Sequence, residues 1–173
     1  MLKVGITGGM GSGKTTICRI FEVLLVPVYY ADIEAKRLIQ NDPQLILEIK
    51  AYFGEETYLP DNTLNRTLLA DLVFNTPEAL AKLNSLVHPA VKNDFLFWAK
   101  QQAAAPYIIK EAALIFESES YKVLDKVITV FTPSPIRINR VMERENMDKD
   151  SVLSRMKHQM PEEEKIRQNK FVL

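Results

Sequence analysis

Residues 2 to 25, LKVGITGGMGSGKTTICRIFEVLL, place an apolar stretch, a glycine-rich turn and a run of helix formers in direct succession, and few folds accommodate all three. LKVGIT has the composition of a buried strand, while Ile17, Ile20, Phe21 and Leu24 recur at helical spacing in the segment after the turn. Five of the chain's six glycines crowd into the nine positions from Gly5 to Gly13, ahead of Lys14, Thr15 and Thr16. Gly8, Gly13, Lys14 and Thr15 match the pattern G-x-x-x-x-G-K-S/T, a phosphate loop. Each residue type follows from the ligand. Glycines let successive N–H groups turn inward around a phosphate that a side chain would obstruct. The helix opening near Lys14 aims its unsatisfied N–H groups and positive dipole end at the same place. Lys14 supplies a point charge for the β and γ phosphates, and the Thr15 hydroxyl a ligand for Mg²⁺. A glycine-rich turn that only happens to precede a lysine would require neither the strand before it nor the helix after it.

Downstream, VPVYY reads as a second strand ending just before Ala31 and Asp32. A long helical stretch over about 33–105 is broken at Gly54, Pro60 to Asn62, Pro77 and Pro89. PYIIKEAALIF and DKVITVF read as further buried strands, Thr132 to Pro135 breaks the chain, and two helical segments run from Ile136 to Gln168. The closing KFVL begins a fifth strand. Strands alternating with helices predict an α/β fold with a parallel sheet, and the block between the second and third strands is too long for one crossover helix. It reads as an inserted helical subdomain.

A phosphate loop binds a nucleotide without deciding where the phosphate goes. Ligands of open α/β sheets sit beyond the carboxyl ends of the strands, which is where Asp32 falls. If the second strand lies near the first, Asp32 can accept the proton of a hydroxyl that attacks phosphorus. Asp is equally a favoured helix cap, and a helix beginning at Ile33 would make Asp32 its N-cap. Arg137, Arg140 and Arg144 are spaced to share one helix face, as a phosphate clamp or as a solvated stripe paired with Glu143 and Glu145. His88 before Pro89, Cys18 and Trp98 read most simply as structural, and Glu111 and Glu117 as either water-mediated Mg²⁺ or substrate ligands or as buried-edge and capping groups.

Composition bounds the setting. The 173 residues are 47% hydrophobic and 25% charged, in keeping with one compact domain carrying an insertion. A single cysteine, Cys18, excludes an internal disulfide and suggests a reducing, cytoplasmic setting. No apolar run approaches the roughly 20 residues of a membrane span, and the N-terminus lacks a signal-peptide layout. A formal net charge of zero provides no global basic field for nucleic acid.

GITGGMGSGKTT, VPVYYADIEAKRLI, LNRTLLADLVF, LVHPAV, EAALIFES and RINRVMEREN, in this order, resemble the dephospho-CoA kinase family from Leu2 to the end of the chain. The resemblance implies ATP- and Mg²⁺-dependent phosphorylation of the ribose 3′-hydroxyl of dephospho-CoA. It also implies a P-loop core with a five-stranded parallel sheet, a helical substrate domain and an arginine-bearing lid. On this reading 1–32 with 106–133 and 168–173 form the nucleotide-binding core, 33–105 the substrate subdomain and 134–167 the lid. Gly11, Ser12, Gly13, Lys14, Thr15 and Thr16 would bind the ATP phosphates, Arg140 and Arg144 would come from the lid, and Asp32 would be the base. Lys36, Arg66, His88, Pro89 and Glu117 would serve the substrate. Such lids commonly close on substrate, so Arg140 can stand away from the loop when no ligand is bound, and the sequence does not decide the lid's conformation.

The chain departs from the family pattern in places. Tyr30-Ala31-Asp32 stands where D-A-D is usual, Lys36 where an arginine is common, and Ala113 where a proline precedes the segment ending in Glu117. Family members finish the last strand, make a polar turn contributing to the adenine pocket and add a terminal helix. This chain stops at Leu173, so the expectation is either a truncated chain or an open base site with an uncovered sheet edge. Two other classes compete with the resemblance. Another small-molecule P-loop kinase, for a nucleoside monophosphate or a sugar-like acid, would share loop, base and lid, and a nucleotide-binding module would lack turnover. A regulatory GTPase is excluded: no D-x-x-G follows the loop, Gly54 being preceded by Ala51, and there is no N-K-x-D.

Overall fold

The computed structural model describes residues 1–74, 76–157, 159–169 and 171–173. Two compact units are present, one formed by Met1–Tyr30 with Ala99–Leu173 and the other by Ala31–Trp98. In the first, β1 (Leu2–Thr7), β2 (Val28–Tyr30), β3 (Tyr107–Glu111), β4 (Lys126–Thr129) and β5 (Phe171–Val172) build one parallel sheet ordered β2-β3-β1-β4-β5. β1 is the central strand, and its carboxyl half, Gly5 to Thr7, is fully buried. β2 therefore lies one strand away from β1, with β3 between them, so the condition that the second strand be close to the first holds only at one remove.

Helix α1 (Lys14–Val23) packs on the sheet through a core of Ile6, Cys18, Val26, Ile109 and Val130, with Ile17 and Phe21 beside it. Ile20 and Leu24, which share the apolar spacing, are instead 58% and 64% exposed. The loop decides the face: Lys14 is drawn under the glycines, and the residue one turn later, Cys18, is carried into the core with it.

The second unit is helical, with α2 (Ala31–Asn41), α3 (Pro43–Phe53), α4 (Arg66–Phe74) and most of α5 (Pro77–Gln101). Asp42 caps α3 by accepting from the Leu45 N–H at 2.9 Å, and Pro43 occupies the first turn, where a missing N–H costs nothing. Pro77 opens α5 and does not interrupt a helix, and α5 runs unbroken through Pro89, contrary to the expected break. An interior proline costs about 3 kcal/mol. Val87, Val91, Phe95 and Ala99, four residues apart and all buried, supply enough apolar burial along one face to offset it.

Two further differences mark the end of the chain. The third strand stops at Glu111 and not at Phe116, because Ile115 and Phe116 are buried from within a series of turns. An apolar run reads alike in both settings. After β4 come three helices where two were expected: α6 (Ser134–Glu145), α7 (Lys149–Met156) and α8 (Glu162–Arg167). Asp148 caps α7 through the Ser151 N–H at 2.9 Å, and Pro161 precedes α8. Among the described residues no helix is long and apolar enough to cross a membrane.

Candidate nucleotide site

The phosphate loop spans the end of β1 and the start of α1. Ser12 N–H closes a turn on Gly9 O at 3.1 Å, and Gly13 caps the helix at φ 99°, a left-handed conformation that a side chain would strain. The loop is supported from the segment just after β4, where Val130 N–H donates to Thr7 O at 2.7 Å and Thr132 Oγ1 donates to Ser12 O at 3.0 Å.

Lys14 is only 8% exposed. Its Nζ donates to Gly8 O at 2.9 Å and Gly9 O at 3.3 Å and lies 4.0 Å from the Glu111 carboxylate. Glu111 is itself buried at the end of β3, beside β1 in the sheet. The ammonium is thus held by loop carbonyls and a carboxylate at the floor of the site. One turn below, burial and the charges of Glu111 and Glu22 push the Cys18 thiol up to about 12, with Lys14 acting in the opposite direction. Cys18 is a free, inert core thiol at neutral pH. Burial and a hydrogen bond with Glu22 likewise raise the Tyr30 phenol well above its ordinary value.

A cleft of about 620 Å³ opens over the loop, within the size range of small-ligand sites. Gly11, Ser12, Gly13, Lys14, Thr15 and Thr16 line it together with Arg140 and Arg144. Ile17, Val130, Phe131, Thr132 and Leu173 complete the wall. Of these, Phe131 and Thr132 are site residues that the sequence reading missed. Their only mark was their place directly after β4, at the carboxyl edge of the sheet. Arg140 lies at the loop, its guanidinium donating to Gly11 O at 3.4 Å. The cause is packing: Val141 on the same helix is fully buried, and Gly11 lies against the Arg137 backbone.

The arginine stripe divides. Arg140 and Arg144 face the cleft, while Arg137 is 7% exposed and lies behind the loop, with its guanidinium 3.5 Å from Glu162. Glu117 Oε1 accepts the Met160 N–H at 2.8 Å and lies 3.4 Å from Lys165 Nζ. Asp32, Lys36, Arg66, His88 and Pro89 all belong to the second unit. Asp32 is exposed in the first turn of α2, which begins at Ala31, so Asp32 lies inside the helix and is not its N-cap. Lys36 follows one turn later on the same face. Arg66 is the first residue of α4, and His88 and Pro89 lie within α5.

A parallel sheet with a phosphate loop after its central strand, a buried lysine in that loop and two arginines over it defines the class as a P-loop kinase. The family model described as Dephospho-CoA kinase matches residues 2–173. A dephospho-CoA kinase of Bacteroides fragilis is 34% identical over 172 residues, spanning 99% of this chain and 83% of the relative. A solved structure from Thermus thermophilus superposes with a TM-score of 0.85 at 35% identity, covering 99% of this chain and 87% of that one. A dephospho-CoA kinase from Campylobacter jejuni does so with a TM-score of 0.71 at 25% identity, covering 99% and 86%. The chain belongs to the dephospho-CoA kinase family.

Proposed function

We propose that this chain transfers the γ-phosphoryl group of ATP to the ribose 3′-hydroxyl of dephospho-CoA, giving CoA and ADP. The observation that carries the reading is the convergence of Lys14, Thr15, Arg140 and Arg144 on one cleft, in a chain matched over its length by the family. The acceptor oxygen attacks the γ-phosphorus, the bond from that phosphorus to the β–γ bridging oxygen breaks, and the hydroxyl proton passes to Asp32. Asp32 suits this role because it is exposed and its carboxylate makes no hydrogen bond or ion pair with the described residues. Lys14 leaves its carbonyl partners for the β and γ phosphates, and Arg140 and Arg144 meet the charge spread over the transferring group. Lys36, Arg66, His88, Pro89 and Glu117 serve the acceptor side on this reading.

The residues fit a phosphate-borne Mg²⁺. Thr15 is exposed in the cleft, and among the described residues no cluster of three or more His, Cys, Asp or Glu could form a dedicated metal cage. Mg²⁺ typically takes one or two protein oxygens and otherwise water and phosphate. Thr15 would hold it, and when bound the ion neutralises charge between the β and γ phosphates. A cytoplasmic setting, where a free thiol persists, belongs to the same proposal.

An ADP-release assay with ATP and a panel of acceptors tests the reading. Release with dephospho-CoA is expected; release only with a nucleoside monophosphate or a sugar-like acid would replace the acceptor. Asp32→Asn is expected to keep ATP affinity and lose at least about 10² in turnover. Near-parental turnover would remove Asp32 as the base.

A further inference from the structure

We infer that Gln159, with the buried Arg137–Glu162 pair, is a latch that sets the phosphate loop from behind, and that these three act as positioning residues for ATP. The loop's cleft side is built from glycine, lysine and threonine, but its rear is held by other elements. Gln159 Oε1 accepts the Met10 N–H at 2.9 Å, which ties the loop's tip to the α7–α8 connection. Arg137 of α6 and Glu162 of α8 meet against Gly9. A Cβ there would collide with the Arg137 guanidinium and stand 2.6 Å from Glu162 Oε1. α8, which follows the connection, is itself anchored just beyond the end of β3 by Lys165, which is fully buried and donates to Ala113 O at 3.0 Å. Thr7, the last residue of β1, donates to the same carbonyl at 3.3 Å. Strand, loop and helices thus close a ring around Met10 and Gly9.

The Arg137–Glu162 pair is not there for stability alone. Its closest approach is 3.5 Å, and Arg137 Nε and both Glu162 oxygens are buried without a hydrogen-bond partner. Burying two charges with such incomplete pairing typically makes a site no more stable than an apolar replacement would. What the pair does supply is register. Two large charged groups fit on either side of Gly9 only when α6, α8 and the loop are correctly placed. The loop backbone is then held in one shape before the phosphates arrive, so the ordering cost is not charged to ATP binding. The same register brings Arg140, one turn beyond Arg137, over the loop.

This proposal rests on the reading of the cleft as an ATP site, so ATP binding is measured by calorimetry without acceptor, alongside steady-state kinetics. Gln159→Met removes the acceptor from a half-buried position and is expected to raise the Kd and KM for ATP about tenfold. The KM for dephospho-CoA and the Tm should stay at the parental values. The double variant Arg137→Met with Glu162→Met keeps volume and removes both charges. It is expected to equal or exceed the parent in Tm while also binding ATP about tenfold more weakly. Parental ATP affinity in Gln159→Met overturns the latch, as does a loss of affinity that only accompanies a lowered Tm. A parent chain that binds ATP but releases no ADP with dephospho-CoA would end the acceptor reading and leave the latch standing.

Discussion

Among the described residues, the charged side chains that are buried all lie in the first unit, whereas the ion pairs of the second are at least partly exposed. In the first, Lys14, Glu111, Arg137, Glu162 and Lys165 are each less than a tenth exposed and gather around the phosphate loop and the end of β3. In the second, Arg37 pairs with Glu34 and Asp94 with its side chain 48% exposed, and Lys50 meets Glu55, whose side chain is 84% exposed. The difference follows from what each can tolerate. Buried charges are costly unless their neighbours are in place, so the first unit's polar groups form an interdependent set. Exposed pairs are solvated whether or not they meet, and contribute about 0.2–1 kcal/mol. The proposed phosphate recognition rests on the first kind of construction, while Asp32, Lys36, Arg66, His88 and Pro89, proposed for the acceptor side, are carried by the unit with the second.

The comparison breaks most readily at Lys14. Lys14→Met is expected to lower kcat/KM for ATP by about 10³, since it removes a preorganised cation from the transferring phosphates. Kinetics within tenfold of the parent would mean that the loop is not the reacting phosphate site. An intermediate effect is expected at Lys110, in β3, which burial pushes down from 10.5 to about 8. Below pH 8 the lysine is protonated in folded and unfolded chains alike, and its burial destabilises the fold in full. Between pH 8 and 10.5 the unfolded chain binds a proton that the folded chain has released. Stability therefore rises with pH, by up to about 1.4 kcal/mol per unit. Cys18 acts in the opposite sense above pH 9, because the unfolded thiol ionises first. Denaturant titrations of the chain against Lys110→Met isolate the lysine. The difference in unfolding free energy should move by about 3 kcal/mol across the window in favour of the parent. A flat difference would show that the folded chain keeps the ammonium charged. The smallest effect is expected from Arg37→Ala, less than about 1 kcal/mol and largely abolished in 1 M salt. A loss above about 2 kcal/mol would mean that the second unit also relies on desolvated charge.

Much of the cleft was legible because its residues are contiguous. Gly11 to Thr16 are recognisable together, since bare backbone, lysine and hydroxyl have one common use beside a phosphate. Arg140 and Arg144 could be placed on a helix by spacing but not told apart from Arg137. All three share a stripe, and only the buried Glu162 and Gly9 separate the one behind the loop from the two over it. Gln159 and Lys165 carried no mark at all, being polar residues in a polar, helix-forming segment. Pro89 misled because a local rule, that proline ends helices, is overruled when burial along one face outweighs a missing hydrogen bond.

By itself the sequence determined what depends on neighbours along the chain: the β1–loop–α1 unit, the cap at Asp42, the alternation that makes a parallel sheet, and the phosphate chemistry of residues 8 to 16. The tertiary structure decided what depends on groups far apart in sequence. It placed β3 between β1 and β2, turned Cys18 and not Ile20 into the core, sent Arg137 beneath the loop and Arg140 above it, and brought Gln159 to Met10. Backbone conformation is governed by steric and hydrogen-bonding preferences over a few residues, whereas the burial and pairing of a charge are set by whatever the fold packs against it.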